Sequence, residues 1–381
     1  MLLSLLFTLI FQQADSYDTK VSRRHTVLSA PAAALLLPNR KAIATTVPPD
    51  TVVIPQVFYS PTLSLSSTIQ GYWQLAGGHG SYEVDDVLVN MKNHYDVGMT
   101  TLDTADIYGP SESIVGQFVK NQPKCTPITK FCCFRFLKEI DRKEVRERVL
   151  KSCAALGVEK IPLLQFFWSN YEANNYVDVG LMLSELKEEG LIGEIGATNF
   201  DLKRLKELKK AGVDIVSHQV QMSALDSRPV QGGMNEWCAE NGVKLIAFGT
   251  VGGGILSEKS LLRTDHLSKN ERTSSSLRMY ASTAERFGPW SLVKELLSVM
   301  KEIADRKGEG VKIANVAERY VLQTVGVGSV LVGVRNSNWV ASNVATYSFV
   351  LEEGEMDEIR KVIGKRKGPK GDVWDIERGI V

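Results

Sequence analysis

Short apolar runs, rich in β-branched and aromatic residues, alternate with longer amphipathic stretches from residue 68 onward. Runs such as TTLDTA, PITKF and IPLLQFFW are typical of buried strands, and the stretches after them carry apolar residues at helical spacing. Eight such units of strand and helix follow one another over roughly 300 residues. This alternation predicts parallel strands that are joined by helices.

The number of units predicts an α/β fold of one particular kind. We expect a (β/α)8 TIM barrel with extra C-terminal helices and a long loop after strand 7, from about Gly252 to Pro289. The competing architecture is a doubly wound sheet. Its dinucleotide-binding signature, G-x-G-x-x-G opening a helix after the first strand, is missing from the sequence. The barrel is therefore favoured, with its chemistry at the C-terminal ends of the strands.

The N-terminal residues 1–50 differ in kind and are interpreted as a bipartite targeting leader. MLLSLLFTLIFQQADS resembles a signal peptide and is too short to span a bilayer, so no stable membrane insertion is expected. VSRRHTVLSAPAAALLLPNRKAIA contains an arginine pair and an Ala-x-Ala ending, as in twin-arginine export signals. Two signals in tandem resemble the leaders of proteins that enter plastids of secondary origin, with the thylakoid lumen as a further step. The secretory pathway, or an Ala-rich leader with a chance arginine pair, is the alternative.

The rest of the chain divides into three parts. Residues 51–64 are predicted to form an extended linker because their prolines oppose a helix, residues 65–366 the barrel, and residues 367–381 a C-terminal tail.

Composition narrows the class of partner. Lys+Arg 45 against Asp+Glu 44 leaves a net charge of +1, so no global field would recruit nucleic acid or an anionic membrane. The five cysteines are an odd number without metal-site spacing, so we expect free thiols and no metal. A small molecule is the expected partner, and the oligomeric state is not predicted.

Three polar residues lie at successive strand ends: Asp103 and Tyr108 after strand two, and Lys130 on strand three. A free tyrosine titrates near pH 10, too high for rapid proton donation at neutral pH. A neighbouring ammonium would lower the tyrosine pKa, and a carboxylate would hold the ammonium in place. Taken singly, the three have ordinary alternatives as a loop cap, a packing aromatic and a solvated strand end. Together they predict a proton donor for carbonyl reduction.

The sequence resembles the aldo-keto reductase family over about residues 65–366. The resemblance is carried by TTLDTADIYGPSE, ITKF, LLQFFWSNY, GEIGATNF, SHQVQMS and LVGVRNSNWVASN. It implies an NADPH-dependent reductase of a small-molecule aldehyde or ketone. In such an enzyme Tyr108 is the general acid, and Lys130 and Asp103 tune it.

The resemblance also implies a binding site for NADPH/NADP. Thr198, Asn199 and Gln219 match the positions that hold the nicotinamide carboxamide, and Phe248 matches the one that stacks on the nicotinamide ring. Gly252–Gly254 match the positions whose backbone approaches the pyrophosphate. Arg335 matches the position that pairs with the 2′-phosphate, and Asn343 matches the one that contacts the adenine. Trp339 would stack on the adenine or simply pack. The expected preference for NADP over NAD depends on Arg335.

One family position is substituted. Where the family usually carries a catalytic histidine, the sequence has Phe167, followed by Trp168, and both are assigned to the substrate pocket. A phenyl ring donates no hydrogen bond, and loss of such a donor costs roughly a hundred- to a thousand-fold in rate. His79, on the loop after strand one, either supplies a replacement donor in the pocket or is merely solvated.

Two functions stay open at this point. The intact Asp103, Tyr108 and Lys130 favour an NADPH-dependent reductase. The missing histidine favours a catalytically weak or inactive NADP-binding redox sensor or subunit on the same fold.

Overall fold

The computed structural model describes residues 53–334 and 337–380 of the chain. The predicted leader and Arg335 therefore lie outside the described residues. The described part contains ten strands, of which the last eight run parallel and close into a barrel. In chain order they are β1 (Gln56–Ser60), β2 (Leu63–Ser66), β3 (Thr68–Gly71), β4 (Thr101–Asp103), β5 (Thr126–Cys133), β6 (Ile161–Trp168), β7 (Ile192–Thr198), β8 (Ile215–Gln221), β9 (Lys244–Phe248) and β10 (Val327–Gly333). The predicted barrel is confirmed, with β10 pairing beside β3.

Fourteen α-helices surround the barrel in the described ranges. They are α1 (Val84–Tyr95), α2 (Ser111–Asn121), α3 (Arg142–Leu156), α4 (Tyr176–Glu188), α5 (Leu202–Lys210), α6 (Arg228–Gln231), α7 (Met234–Glu240), α8 (Glu258–Leu261), α9 (Ser275–Phe287), α10 (Trp290–Lys307), α11 (Ile313–Leu322), α12 (Val340–Ala345), α13 (Glu353–Ile363) and α14 (Asp375–Arg378). None of these described helices has the length and apolar character needed to cross a bilayer.

The barrel strands are buried on both faces, as parallel strands covered by helices require. In β6 seven of eight residues are buried, with only Pro162 half-buried. Its register against β5 places Lys130 opposite Gln165 and Cys133 opposite Trp168. The parallel pairing thus brings the C-terminal ends of neighbouring strands to the same end of the barrel.

Local capping chemistry sets helix boundaries. At the start of α3 the Asp141 carboxylate accepts a hydrogen bond from the backbone N–H of Glu144 at 2.8 Å. Gly157 ends the same helix in the left-handed conformation, with φ 66°. Both ends of α3 can therefore be assigned from sequence.

The expected linker over residues 51–64 is wrong from Gln56 onward, because β1 and β2 form an antiparallel hairpin. Tyr59, Leu63 and Leu65 are buried and pack in one cluster with barrel residues that include Ile69 and Ile246. The alternating apolar side chains of the two short strands lie on one face, which suits a hairpin that closes the barrel floor.

The segment after β9 is more ordered than the predicted loop. It contains α8 and α9, and the Ser274 hydroxyl caps α9 by accepting from the backbone N–H of Leu277 at 3.1 Å. The apolar residues of α9 lie at helical spacing and face the protein. The segment is therefore a helical cover over one side of the barrel mouth.

The C-terminal segment returns to the C-terminal end of the barrel. The Arg378 guanidinium donates to the backbone carbonyl oxygens of Trp168 at 2.7 Å and Asn199 at 2.9 Å. Arg228, buried on α6, pairs with Asp226 and with Glu377 of α14. These contacts fix the tail against β6 and β7.

Candidate active site

A cavity of about 510 Å³ opens at the C-terminal ends of the barrel strands. Its wall includes side chains from every barrel strand region, the α9 cover and the tail. The following sequence-predicted residues lie in that wall: His79, Asp103, Tyr108, Lys130, Phe167, Thr198, Asn199, Gln219, Phe248, Trp339 and Asn343.

Asp103 and Lys130 form a buried ion pair at the centre of the cavity floor. The Lys130 ammonium donates to Asp103 Oδ2 at 2.5 Å and to the carbonyl oxygen of Thr104 at 2.8 Å. Both side chains are almost fully buried, at 5% and 3% exposure. Each charged group of this buried pair is thus paired and hydrogen-bonded, which offsets the cost of its burial.

The second carboxylate oxygen of Asp103 is also saturated. Gln165 and Gln219 donate to Oδ1 at 2.9 Å and 2.8 Å, and Gln219 also donates to Gln165 Oε1 at 2.8 Å. The carboxylate is thereby held from three strands at once. Gln165 was not selected from sequence, although its place two residues before Phe167 puts both on the same face of β6.

Tyr108 stands over the Lys130 ammonium, whose Nζ lies 5.1 Å from the ring centroid. Burial raises the pKa of Tyr108 well above its ordinary value, with repulsion from the Asp103 carboxylate as the next contribution. This direction is opposite to the expected lowering, chiefly because the phenol is buried. Tyr108 is therefore a protonated phenol throughout the neutral range, which is the form that can donate.

The backbone that carries Tyr108 is clamped to the neighbouring strand. The Asp106 carboxylate accepts from the backbone N–H of Cys132 at 3.2 Å and from the Arg148 guanidinium at 2.6 Å. Arg148 also donates to the carbonyl oxygen of Cys132 at 2.7 Å. The loop between β4 and α2 is thus fixed relative to β5 two residues before the phenol.

Phe167 lies in the cavity wall, as predicted, and its surroundings are apolar. Its ring packs against Phe134 at 4.9 Å and Trp374 at 6.2 Å between centroids, in a cluster that includes Cys132. The assignment of Trp168 to the pocket is wrong. Successive strand residues point to opposite sides, so Trp168 packs outside the barrel against Phe166 and donates to the carbonyl oxygen of Ala173.

His79 is buried rather than solvated, at 6% exposure. Its Nδ1 lies 2.9 Å from the carbonyl oxygen of Gly77, and its Nε2 lies 2.7 Å from the Ser276 hydroxyl on α9. Both ring nitrogens are therefore engaged by the protein. The imidazole joins the loop after β3 to the α9 cover, and this leaves it without a spare donor for a substrate carbonyl.

The predicted carboxamide positions are together at the ends of β7 and β8. Thr198 donates from its hydroxyl to the carbonyl oxygen of Gln219 at 3.1 Å. Asn199 takes the left-handed conformation, with φ 56°, and its buried Oδ1 accepts no hydrogen bond from the described residues. Phe248 lies beside them in the same wall. The Asn199 Oδ1 atom could accept a hydrogen bond from the carboxamide of a nicotinamide, and the Phe248 ring could stack on its flat ring.

Gly252 does not line the cavity, and its N–H donates to the carbonyl oxygen of Gly249 at 2.9 Å. The cavity wall is formed instead by Gly253 and Gly254. A Cβ on Gly249, where φ is 74°, would lie 2.5 Å from the ring of Tyr280. The absence of a side chain there lets Tyr280 of α9 lie directly on the β9 loop.

Tyr280 is a cavity residue that the sequence did not reveal. It is 8% exposed, and burial raises the pKa of its hydroxyl. The hydroxyl has no hydrogen-bond partner among the described residues, and both Tyr280 and Tyr108 line the cavity. The cavity therefore contains two phenols.

Asn343 and Trp339, the positions predicted for the adenine, also lie in the cavity wall. Asn343 is buried, whereas Trp339 is half exposed. Glu318 of α11 lies in the same wall and was not selected from sequence. An acidic residue amid the apolar spacing of IANVAERYVL was the available signal, but only the orientation of α11 reveals which way it points.

A closed parallel barrel with a buried carboxylate, ammonium and phenol at its mouth defines a class of oxidoreductases that act on carbonyl groups with a nicotinamide cofactor. The sequence profile of the Aldo/keto reductase family matches residues 69–363. The chain belongs to the Aldo/keto reductase family.

Similar proteins of the family are spread across bacteria and plants. The chain is 26% identical over 219 residues to an NADH-specific methylglyoxal reductase of Escherichia coli, covering 51% of this chain and 66% of the relative. It is 25% identical over 282 residues to a chloroplastic pyridoxal reductase of Arabidopsis thaliana, covering 65% and 70%. It is 24% identical over 307 residues to methylglyoxal reductase DkgA of Escherichia coli, covering 79% and 91%.

Solved structures confirm the fold. The glycerol dehydrogenase AKR11B4 of Gluconobacter oxydans superposes with a TM-score of 0.70 at 20% identity, covering 83% of this chain and 97% of that one. The holo form of aldo-keto reductase AKR11C1 of Bacillus halodurans gives 0.65 at 23% identity, covering 82% and 96%.

Proposed function

We propose that the protein reduces an aldehyde or ketone with NADPH, with Tyr108 as the general acid. The observation that carries this proposal is the contact of the buried Asp103 and Lys130 pair with the Tyr108 ring at the floor of the cavity. When bound, the reduced cofactor supplies a hydride to the carbonyl carbon. Tyr108 gives its proton to the carbonyl oxygen, so that an alcohol is formed.

The protein's own residues prepare that proton transfer. The Lys130 ammonium donates two of its three N–H groups to Asp103 and Thr104, and its Nζ lies 5.1 Å from the centroid of the Tyr108 ring. As Tyr108 loses its proton, the nearby ammonium stabilises the growing negative charge on the oxygen. The raised pKa keeps the proton in place until the substrate oxygen becomes basic.

Apolar carbonyl compounds are the proposed substrates. Phe167, Phe134, Trp374 and Ile107 surround the space beside Tyr108, in a pocket that offers few polar partners for sugar hydroxyls. Trp374, contributed by the tail, covers Phe167 from outside the barrel mouth. The pocket therefore selects for shape and apolar area rather than for hydroxyl groups.

Tyr280 takes the place of the missing imidazole donor in this proposal. Its hydroxyl has no hydrogen bond to the described residues, and its ring lies in the cavity wall beside Gly249 and Gly253. His79 is not suited to the role because both its ring nitrogens are already bonded. A phenol donates a hydrogen bond to a carbonyl oxygen as an imidazole N–H does.

The preference for NADPH over NADH is part of the proposal and rests on Arg335. A guanidinium fork suits the 2′-phosphate of NADPH, but this residue lies outside the described residues. Relatives differ in this respect, since one of them is named as NADH-specific. The Kd values of NADPH and NADH, measured side by side, decide the matter; equal values would contradict the assignment.

A cofactor-binding sensor or subunit is the second candidate, and Phe167 is the observation that favours it. The ring is locked in an apolar cluster, so the cavity lacks the usual donor at that point. A sensor would bind the cofactor without turnover. It would have no physical requirement for the buried carboxylate, ammonium and phenol.

The test is a pair of measurements on protein that lacks residues 1–52. NADPH binding is followed by fluorescence titration, and NADPH oxidation is followed with a panel of apolar aldehydes, ketones and quinones. We expect turnover that falls at least about a hundred-fold in Tyr108→Phe while the Kd of NADPH is unchanged. Tight binding without turnover, unrestored in Phe167→His, would establish the sensor instead.

We also propose that the leader directs the protein to a plastid, with passage to the thylakoid lumen as a second step. The tandem signal patterns support this proposal, and one plant relative is named as chloroplastic. Residues 1–52 fused to a fluorescent protein should label the plastid of an alga with a secondary plastid. Replacing Arg23 and Arg24 by lysines should stop transfer to the lumen; secretion of the fusion would contradict the assignment.

A further inference from the structure

Glu318 is a buried acid in the wall of the cavity. It is 4% exposed and lies on α11 one helical turn after Ala314, which lines the same cavity. Residues four apart lie on the same face of a helix. This face of α11 is therefore directed at the cavity, and the carboxyl group is its polar feature.

One oxygen of this carboxyl is fixed and the other is free. The Thr346 hydroxyl donates to Oε2 at 2.7 Å, whereas Oε1 accepts no hydrogen bond from the described residues. The adjacent Arg319 does not neutralise Glu318, since its guanidinium donates to the Thr346 carbonyl oxygen and stacks on Tyr347. Burial accordingly raises the pKa of Glu318 to about 7.

An acceptor oxygen in a cavity wall, without a partner from the described residues, can take a hydrogen bond from a ligand donor. The neighbouring wall contains Trp339, a flat aromatic side chain, and Asn343, which is buried at 6% exposure. α11 is tied to α12 at this point, because Asn315 donates to the carbonyl oxygen of Ser342 at 2.7 Å. The acceptor is thus held at a fixed place beside the expected adenine positions.

We propose that Glu318 accepts a hydrogen bond from the exocyclic amine of the cofactor's adenine and selects adenine against a 6-oxo purine. Adenine presents an amine donor at this position, whereas a 6-oxo purine presents an acceptor oxygen that a carboxylate repels. The inference rests on the proposed function, since it needs a dinucleotide in the cavity. It is independent of the 2′-phosphate and so applies to NADPH and NADH alike.

The test compares NADPH with its hypoxanthine analogue, which has an oxygen in place of that amine and a hydrogen on N1 where adenine has a lone pair. Fluorescence titration of the reduced nicotinamide at about pH 8, where the Glu318 carboxyl is ionised, gives both Kd values for the wild type, Glu318→Gln and Glu318→Leu. We expect the wild type to bind NADPH about tenfold or more tightly than the analogue. Glu318→Leu should bring the ratio close to one, and Glu318→Gln should reduce it, because an amide can also donate to the oxygen.

A matched control is Glu112→Gln. Glu112 is also buried and also accepts from a threonine hydroxyl, that of Thr129, but it lies on α2 and does not line the cavity. Its substitution should leave the ratio unchanged. Circular dichroism checks that each variant is folded, and the near-isosteric Glu318→Gln keeps the test valid if Glu318→Leu fails to fold.

The outcomes separate this inference from the proposed function. Tight and equal binding of both dinucleotides by the wild type overturns the role of Glu318 and leaves the reductase intact. A ratio that persists unchanged in Glu318→Leu and Glu318→Gln does the same. Failure of the wild type to bind either dinucleotide overturns the proposed function, and the inference falls with it.

Discussion

The two phenols of the cavity invite a direct comparison at the level of single residues. Removal of the Tyr280 hydroxyl should lower kcat by about ten- to a hundred-fold, because one hydrogen bond to the developing alkoxide is lost. The Kd of NADPH should not change in Tyr280→Phe. Steady-state kinetics and fluorescence titration measure the two effects, with Tyr95→Phe on α1 as a control outside the cavity. Unchanged kcat would exclude Tyr280 as the second donor.

The buried Glu318 carboxyl should also make the free energy of unfolding depend on pH. Its pKa is raised from 4.5 to about 7 in the folded chain, so the folded state binds a proton between these values that the unfolded state does not. The stabilisation is complete below pH 4.5 and is lost as the pH rises to about 7. Glu318→Gln should therefore gain on the order of 2 kcal/mol over the wild type between pH 5 and pH 8.

Urea unfolding of the two proteins without cofactor, at both pH values, measures this difference. Other buried acids, such as Asp106 and Asp226, are common to both proteins and cancel in the comparison. A difference that is the same at pH 5 and pH 8 would show that Glu318 keeps an ordinary pKa.

The place of a residue in the site could be predicted from sequence where its position on a strand or helix determines its neighbours. Asp103, Tyr108 and Lys130 were predictable because barrel strands end at one place, so strand ends alone bring them together. Trp168 was misassigned because a strand end says nothing about the face a side chain takes unless the alternation is counted. Tyr280 depends on how α9 is placed over the barrel, which no local pattern specifies.

At the level of elements, the tail is expected to act on both stability and substrate binding. Arg378→Ala leaves the carbonyl oxygens of Trp168 and Asn199 without this partner, at a cost of about 1–3 kcal/mol. The KM for apolar carbonyl compounds should rise several-fold, because Arg378 holds the tail that carries Trp374 and lies over the Phe167 ring of the pocket. Thermal unfolding and steady-state kinetics measure the two effects.

The control is Arg142→Ala, which removes a guanidinium of 71% exposure that pairs with Glu185. Such a surface pair contributes about 0–1 kcal/mol, and the KM should stay unchanged. If both arginine variants behave alike, the tail does not shape the pocket.

The elements differ in how well the sequence specified them. The barrel strands were visible as continuous apolar runs, because parallel strands covered on both faces need them. The hairpin of β1 and β2 was read as a linker, since four or five residues carry too short an alternation around Pro61. The tail has no amphipathic period long enough to reveal that it folds back on β6.

For the whole molecule, substitutions at the two ends of the barrel should differ in effect: one end should affect stability alone, the other both stability and activity. Leu65 is fully buried in the floor cluster, and Leu65→Ala should cost about 2–5 kcal/mol of unfolding free energy. The kcat of the folded fraction should not change, because the chemistry lies at the opposite end. Phe167→Ala should lose a similar amount, about 3–5 kcal/mol, and change the substrate preference as well.

Urea unfolding and kinetics at a temperature where both variants are folded provide the measurement. A kcat that falls with Leu65→Ala in proportion to the lost stability would mean that the floor and the mouth of the barrel are mechanically linked.

The closure of the barrel has a consequence for how the newly made chain folds. In β10, the last strand, the Ser329 hydroxyl donates to the carbonyl oxygen of Ser66, which lies 263 residues earlier in the sequence. Until β10 arrives, β3 and β9 are open edges that offer unpaired N–H and C=O groups to other chains. Contacts so distant in sequence form slowly, and unfinished sheets aggregate. Refolding yield should therefore fall steeply with protein concentration, and a chaperone that shields those edges would restore it.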